Sequence, residues 1–165
     1  MKGIQRVRVS NRDVSYEFEL KRKITVINGN SATGKSTLIS LIADAKENRG
    51  AILDCGYPCR VLSNMEEWDL ILQNIHESIV FIEEDFNYFK SDLFAEIVKN
   101  SSNYYVLICR DSIPSLAYSY KEIYEIHTSG KYHTLRQRYT IPDEIIEANY
   151  IYQMAKKRCT CYKKN

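Results

Sequence analysis

The chain has 165 residues, 44% of them hydrophobic and 27% charged, which fits one globular domain and excludes a fibrous repeat or a disordered polymer. Net charge is only +2, no apolar run is long enough to span a bilayer, and MKGIQRVRVS carries no signal-peptide core, so a cytoplasmic location is expected. Five cysteines, an odd number without regular spacing, do not make a secreted disulfide scaffold.

In chain order, Ile4–Val9 and Val14–Leu20 alternate apolar and polar residues around the turn residues Ser10–Asp13, which predicts a β-hairpin. Ile24–Ile27 is a short β-branched run and reads as a buried strand. Lys35–Lys46 carries Leu38, Ile39, Leu41, Ile42 and Ala45 at helical spacing, with Gly50 as a stop signal. A short strand near Ala51–Asp54 has Arg60–Leu62 as its candidate partner across the turn Cys55–Pro58. Met65–Ile75 predicts a helix, Ile79–Ile82 a second buried strand and Ser91–Lys99 a further helix. Tyr104–Cys109 predicts a third buried strand, and Ile123–Thr128 with Tyr132–Arg138 a hairpin around Ser129 and Gly130. A last helix is expected to start at Pro142, a residue suited to the first helical position, and to end near Arg158.

Charge is unevenly spread. From Asp54 to Glu96 ten acids face two bases, whereas the segment after Met154 holds Lys156, Lys157, Arg158, Lys163 and Lys164 and no acid. Such a tail can contact nucleic acid or an acidic partner, or it can simply complement a helix end.

The chemistry concentrates in Gly29-Asn30-Ser31-Ala32-Thr33-Gly34-Lys35-Ser36, followed by Thr37, which matches the phosphate-loop pattern G-x-x-x-x-G-K-[ST]. The glycines let successive backbone N–H groups turn toward a phosphate. Lys35 reaches the β- and γ-phosphates, and the Ser36 hydroxyl suits Mg²⁺. The helix that follows aims its N-terminal dipole at the anion. The expected ligands of Gly29–Thr37 are therefore ATP and Mg²⁺, with adenine chosen only because no N-K-x-D guanine-reading motif occurs.

Ile79–Ile82 ends in Glu83-Glu84-Asp85. A carboxylate at the end of a strand beside the loop can hold Mg²⁺ through water, and Glu83 stands in that place, with Asp85 as the alternative. Glu84, one residue on, can orient or deprotonate an attacking water. Arg110 follows the third apolar strand, where a polar side chain can sense the γ-phosphate or stabilise developing charge, or can pair with Asp111. The candidate catalytic set is thus Lys35, Glu84 and Arg110, and the candidate metal set Ser36 and Glu83. Cys55, Cys59, Cys159 and Cys161 have spacings that fit zinc poorly, so free thiols are expected. His76, His127 and His133 have no evident nucleophile partner, and Trp68 reads as core.

Apolar strands alternating with helices imply parallel strands joined by crossovers. The expected fold is a single domain over 1–165 of the α/β, three-layer P-loop NTPase type. Its central sheet is expected to be mostly parallel with antiparallel hairpins at the edges, and 141–165 to form a C-terminal helix and basic tail. The first hairpin, Ile24–Ile27 and GNSATGKST together resemble the opening of ATP-binding cassette proteins. IVFIEED resembles that family's Walker B strand, and Arg110 falls where the family usually places a switch histidine. The resemblance covers somewhat under half of the chain. Only 41 residues separate Thr37 from Ile79, too few for the family's helical subdomain, and no LSGGQ-type signature is present. The resemblance implies a reduced ATPase core working as a small motor or switch, with a protein partner, a second copy or a nucleic acid. A small-molecule kinase and a non-catalytic nucleotide-binding module are the competing expectations, and Arg136 and Arg138 join Arg110 as candidates to complete the site.

Overall fold

The computed structural model describes residues 3–29, 33–64, 66–83, 85–110 and 113–138. Within them the strands are β1 (Gln5–Ser10), β2 (Ser15–Leu20), β3 (Ile24–Ile27), β4 (Ile52–Cys55), β5 (Cys59–Leu62), β6 (Ile79–Ile82), β7 (Tyr104–Ile108), β8 (Ile123–Ser129) and β9 (Tyr132–Gln137). The helices are α1 (Lys35–Lys46), α2 (Trp68–Gln73) and α3 (Asp92–Asn100). All nine strands form one mixed sheet in the order β4-β1-β2-β9-β8-β3-β7-β6-β5.

Local chemistry accounts for the elements. In β1 and β2, Val7, Val9, Tyr16, Phe18 and Leu20 are buried while Arg6, Arg8 and Glu19 point to water. The Asn11 side-chain oxygen accepts from the backbone N–H groups of Asp13 and Val14, both at 2.9 Å, and so closes the turn. Glu17 lies opposite Arg8 and within 3.6 Å of Arg6 and 3.8 Å of Arg8, pairs that contribute at most about 1 kcal/mol at such exposure. Burial of the inward residues therefore dominates this hairpin. Every residue of β3, β6 and β7 is buried, as their unbroken apolar runs require. Ser91 caps α3, its hydroxyl accepting from Phe94 N–H at 3.2 Å.

Two cores flank the sheet. On the inner face, alternate residues of β1, β2, β3, β5, β6 and β7 close over Leu38, Ile39, Leu41 and Ile42 of α1. On the outer face, Trp68 and Leu72 of α2 and Phe94, Ile97 and Val98 of α3 pack on Val26, Val80, Ile82, Tyr105 and Leu107, with Phe86 and Phe89 between. Trp68 is core, as its helical position predicts.

The expected fold class is overturned. The protein is mostly strands, with three α-helices among the described residues, and its sheet curls around α1 until it is nearly closed into a barrel. Among the described residues helices cover the outer face only over β3, β7, β6 and β5, so the mostly parallel three-layer arrangement is absent. Nor do the hairpins lie at the edges. β8 and β9, antiparallel to each other, insert between β2 and β3 through parallel pairing on both sides. The edges are β4 and β5, and these do not pair with each other: β4 joins β1 antiparallel, and β5 joins β6 parallel. Strand periodicity reports which faces are buried, and it carries no information on partners distant in sequence. The helix expected from Pro142 and the basic tail lie outside the described residues.

Candidate functional site

Parallel pairing brings three strand ends together. Ile27 of β3 lies beside Ile108 of β7, and Ile82 of β6 beside Leu107. The residues that follow, Asn28 and Gly29, Cys109 and Arg110, and Glu83, therefore emerge at one edge of the sheet. Gly29 and Thr33 are half-buried, Lys35 is 7% exposed, and Ser36 and Thr37 are exposed. Glu83 is half-buried, and Asp85 and Arg110 are exposed. Asn30, Ser31, Ala32, Glu84 and Asp111 lie outside the described residues.

Gly34 precedes α1 with φ 90°, a left-handed conformation that side chains rarely adopt. A Cβ here would meet the Tyr16 hydroxyl at 2.6 Å. The Tyr16 hydroxyl donates to the Gly34 carbonyl at 2.8 Å, so the loop is fastened to β2. Burial pushes the Tyr16 pKa up, against a smaller downward pull from the Thr37 side chain, and the phenol remains a neutral donor. Tyr16 in turn stacks on His133 of β9, with ring centroids 4.4 Å apart and planes 14° apart. The His133 Nδ1 lies 2.9 Å from the Thr128 hydroxyl, and burial lowers its pKa.

These features fit a phosphate. α1 has no side-chain cap and no acid in its first turn, so its own side chains neither occupy nor repel an anion at its N-terminus. Lys35 Nζ donates to the Gly29 carbonyl at 2.6 Å and thereby spans the loop from end to end. A β- or γ-phosphate would draw that ammonium off a neutral carbonyl, because hydrogen bonds to charged acceptors are stronger. The residues suited to Mg²⁺ are Ser36, at the start of α1, and Glu83, at the end of β6; they reach the same edge of the sheet from different elements.

Two residues that sequence reading passed over organise this edge. Asn28 donates from Nδ2 to the Arg110 carbonyl at 2.7 Å, its backbone N–H donates to Tyr124 O at 2.8 Å, and its Oδ1 accepts from Arg138. It thus ties the loop to the ends of β7 and β9. Its position between a buried strand and Gly29 was the available signal. Tyr16 gave none, being far upstream of the loop. Of the three candidate arginines, Arg138 brings its guanidinium to Asn28, and Arg110 meets it through its backbone carbonyl. Arg136 does not: it lies 3.3 Å from His127 Nε2 on the exposed face of the hairpin.

A cavity of about 1050 Å³ lies elsewhere, at the opposite end of β3. Lys21, Arg22, Lys23, Leu116, Tyr118 and Glu122 help to line it. Glu122, 5% exposed, pairs with Arg22 at 3.5 Å. None of the described loop residues lines this cavity. A phosphate is recognised by backbone N–H groups and an ammonium at a surface cradle, so cavity volume does not displace the loop as the candidate site. No helix among the described residues is long and apolar enough to cross a membrane, and no group of three or more potential metal-ligating side chains occurs among them. The chain matches no protein-family model and shows no significant match to a curated protein sequence.

Proposed function

We propose that the chain binds ATP with Mg²⁺ at Gly29–Thr37 and hydrolyses it, as a small motor or switch that works with a partner. The observation that carries this reading is the G-x-x-x-x-G-K-S loop between a buried strand and an uncapped helix N-terminus. The emergence of Glu83 and Arg110 at the same edge supports it. Lys35 would bind the β- and γ-phosphates, and Arg110 would stabilise charge on the γ-phosphate. Glu84 would hold the attacking water and accept its proton. Ser36 directly, and Glu83 through water, would hold Mg²⁺, which supplies charge neutralisation between the phosphates.

The test is phosphate release from Mg·ATP by the purified chain, with nucleotide binding followed in parallel. Lys35→Ala should lower release about a hundredfold or more. Glu84→Gln should abolish turnover and leave binding intact. Binding without turnover in the wild type would overturn hydrolysis and leave a nucleotide-binding module. Transfer to a metabolite instead of water would make the protein a kinase, and no binding at all would remove the site.

A further inference from the structure

Two thiols stand apart from the loop, where the sheet comes closest to closing. Cys55 ends β4 and Cys59 begins β5, with Gly56, Tyr57 and Pro58 between them. The two strands are the opposite edges of the nine-stranded sheet, so this turn is the covalent link between edges that do not pair. Register places both side chains on the inner face. Cys55 lies opposite Val7, and Cys59 beside Ile79, and both partners belong to the core around α1. Cys55 is half-buried and Cys59 is 7% exposed, so a small solute can reach the first and not the second.

Hydrogen bonding distinguishes the pair. The Cys59 thiol donates to the Tyr57 carbonyl across 3.8 Å, a long contact, and its single hydrogen can instead serve a Cys55 thiolate. That bond, helped by the backbone N–H groups of Tyr57 and Gly56, holds the Cys55 pKa down to about 6, against burial and the Asp54 charge. The same bond, then burial, then the Cys55 charge, push the Cys59 pKa up. Cys55 is thus the more acidic of two neighbouring thiols. The third described thiol, Cys109, is buried in the core of the outer face.

We propose that Cys55 and Cys59 form a modification site for hydroperoxides, with Cys55 as the nucleophile, Cys59 as the resolving thiol, and a disulfide that ties together the two edges of the sheet. The Cys55 thiolate attacks one peroxide oxygen. The S–O bond forms, the O–O bond breaks, and the departing oxygen takes a proton to leave as water or an alcohol. Loss of the Cys55 charge removes one cause of the high Cys59 pKa. The Cys59 sulfur then gives up its proton and attacks the Cys55 sulfur; the S–S bond forms and the S–O bond breaks, releasing water. Two thiols are oxidised and one hydroperoxide is reduced, and a thiol reductant reverses the state.

The two cysteines share one tryptic peptide, residues 50–60, because Arg49 and Arg60 bracket them with no basic residue between. The reduced full chain is treated with equimolar hydrogen peroxide and mapped. The peptide should lose two hydrogens and cease to react with iodoacetamide. In Cys59→Ser, dimedone should instead trap a sulfenic acid on Cys55; in Cys55→Ser, Cys59 should stay unmodified. On the untreated wild type, alkylation of Cys55 should reach half its plateau rate near pH 6. At that pH it should run roughly 20-fold faster than an ordinary thiol, after allowing for the lower nucleophilicity of a low-pKa sulfur. A half-rate point at the ordinary value of 9.0 would overturn the proposal, as would oxidation of Cys159 or Cys161 with peptide 50–60 unchanged.

Discussion

The two parts of the sheet are built on different terms. The strands β5, β6, β7 and β3 run parallel, with a helix layer on each face, and β6, β7 and β3 are buried along their whole length. In β4, β1, β2, β9 and β8 the inner face meets the core around α1, and the outer face carries charged and polar residues such as Arg6, Glu17 and Arg136. The first part gains stability from both faces of each strand, the second from one. The phosphate-loop motif springs from β3, where the two parts meet, and is held from both sides: by the end of β7 through Asn28, and by β2 through Tyr16.

The largest expected effects break the first part. Phe81, 0% exposed on β6 beneath α1, should cost about 3–5 kcal/mol of stability when changed to Ala, read from urea unfolding. Tyr132→Ala, at a side chain 59% exposed on β9, should move stability by about 0.5 kcal/mol or less. Equal losses at the two sites would mean that the parts are not built differently.

The seam between the parts gives the next effect. Gly34→Ala forces a side chain into φ 90° and against the Tyr16 hydroxyl, and should cost about 1–3 kcal/mol. Adding Tyr16→Phe removes the obstructing oxygen. Urea unfolding of the double variant should recover part of the loss, while the strain of the left-handed backbone remains. Strict additivity would show that the Tyr16 contact does not constrain the loop.

The smallest effect concerns the second part alone. Burial lowers the His133 pKa from its ordinary 6.5, so the unfolded chain binds the proton more readily than the folded one. This contribution to stability is complete above pH 6.5 and is lost as pH falls through the folded-state value. His133→Gln should flatten that part of the stability–pH curve, measured by urea unfolding at a series of pH values, without changing its alkaline side.

Most elements were legible locally. The apolar run Ile79–Ile82, the helical spacing from Lys35 to Lys46 and the turn chemistry of Ser10–Asp13 each coincide with an element or a turn. Such signals are short-range, because burial on one face or on both imprints a period on neighbouring residues. Of the helix predicted over Met65–Ile75 the structure forms Trp68–Gln73, with Glu66, Glu67, Asn74 and Ile75 outside it. The loop motif was equally legible, since its glycines, lysine and serine fall within the one short stretch Gly29–Ser36. Asn28 was half-legible, its place marked but its three partners hidden.

What the residues determined by themselves is the set of strands and helices among the described residues, the faces they bury and the phosphate-loop pattern, all carried by neighbours within a few positions. Tertiary structure alone decided that β8 and β9 insert between β2 and β3, that β4 and β5 end on opposite edges, and that Tyr16 fastens Gly34. Partner choice depends on which inner-face side chains can close over α1 together, and no local period encodes a contact between residues so far apart in the chain.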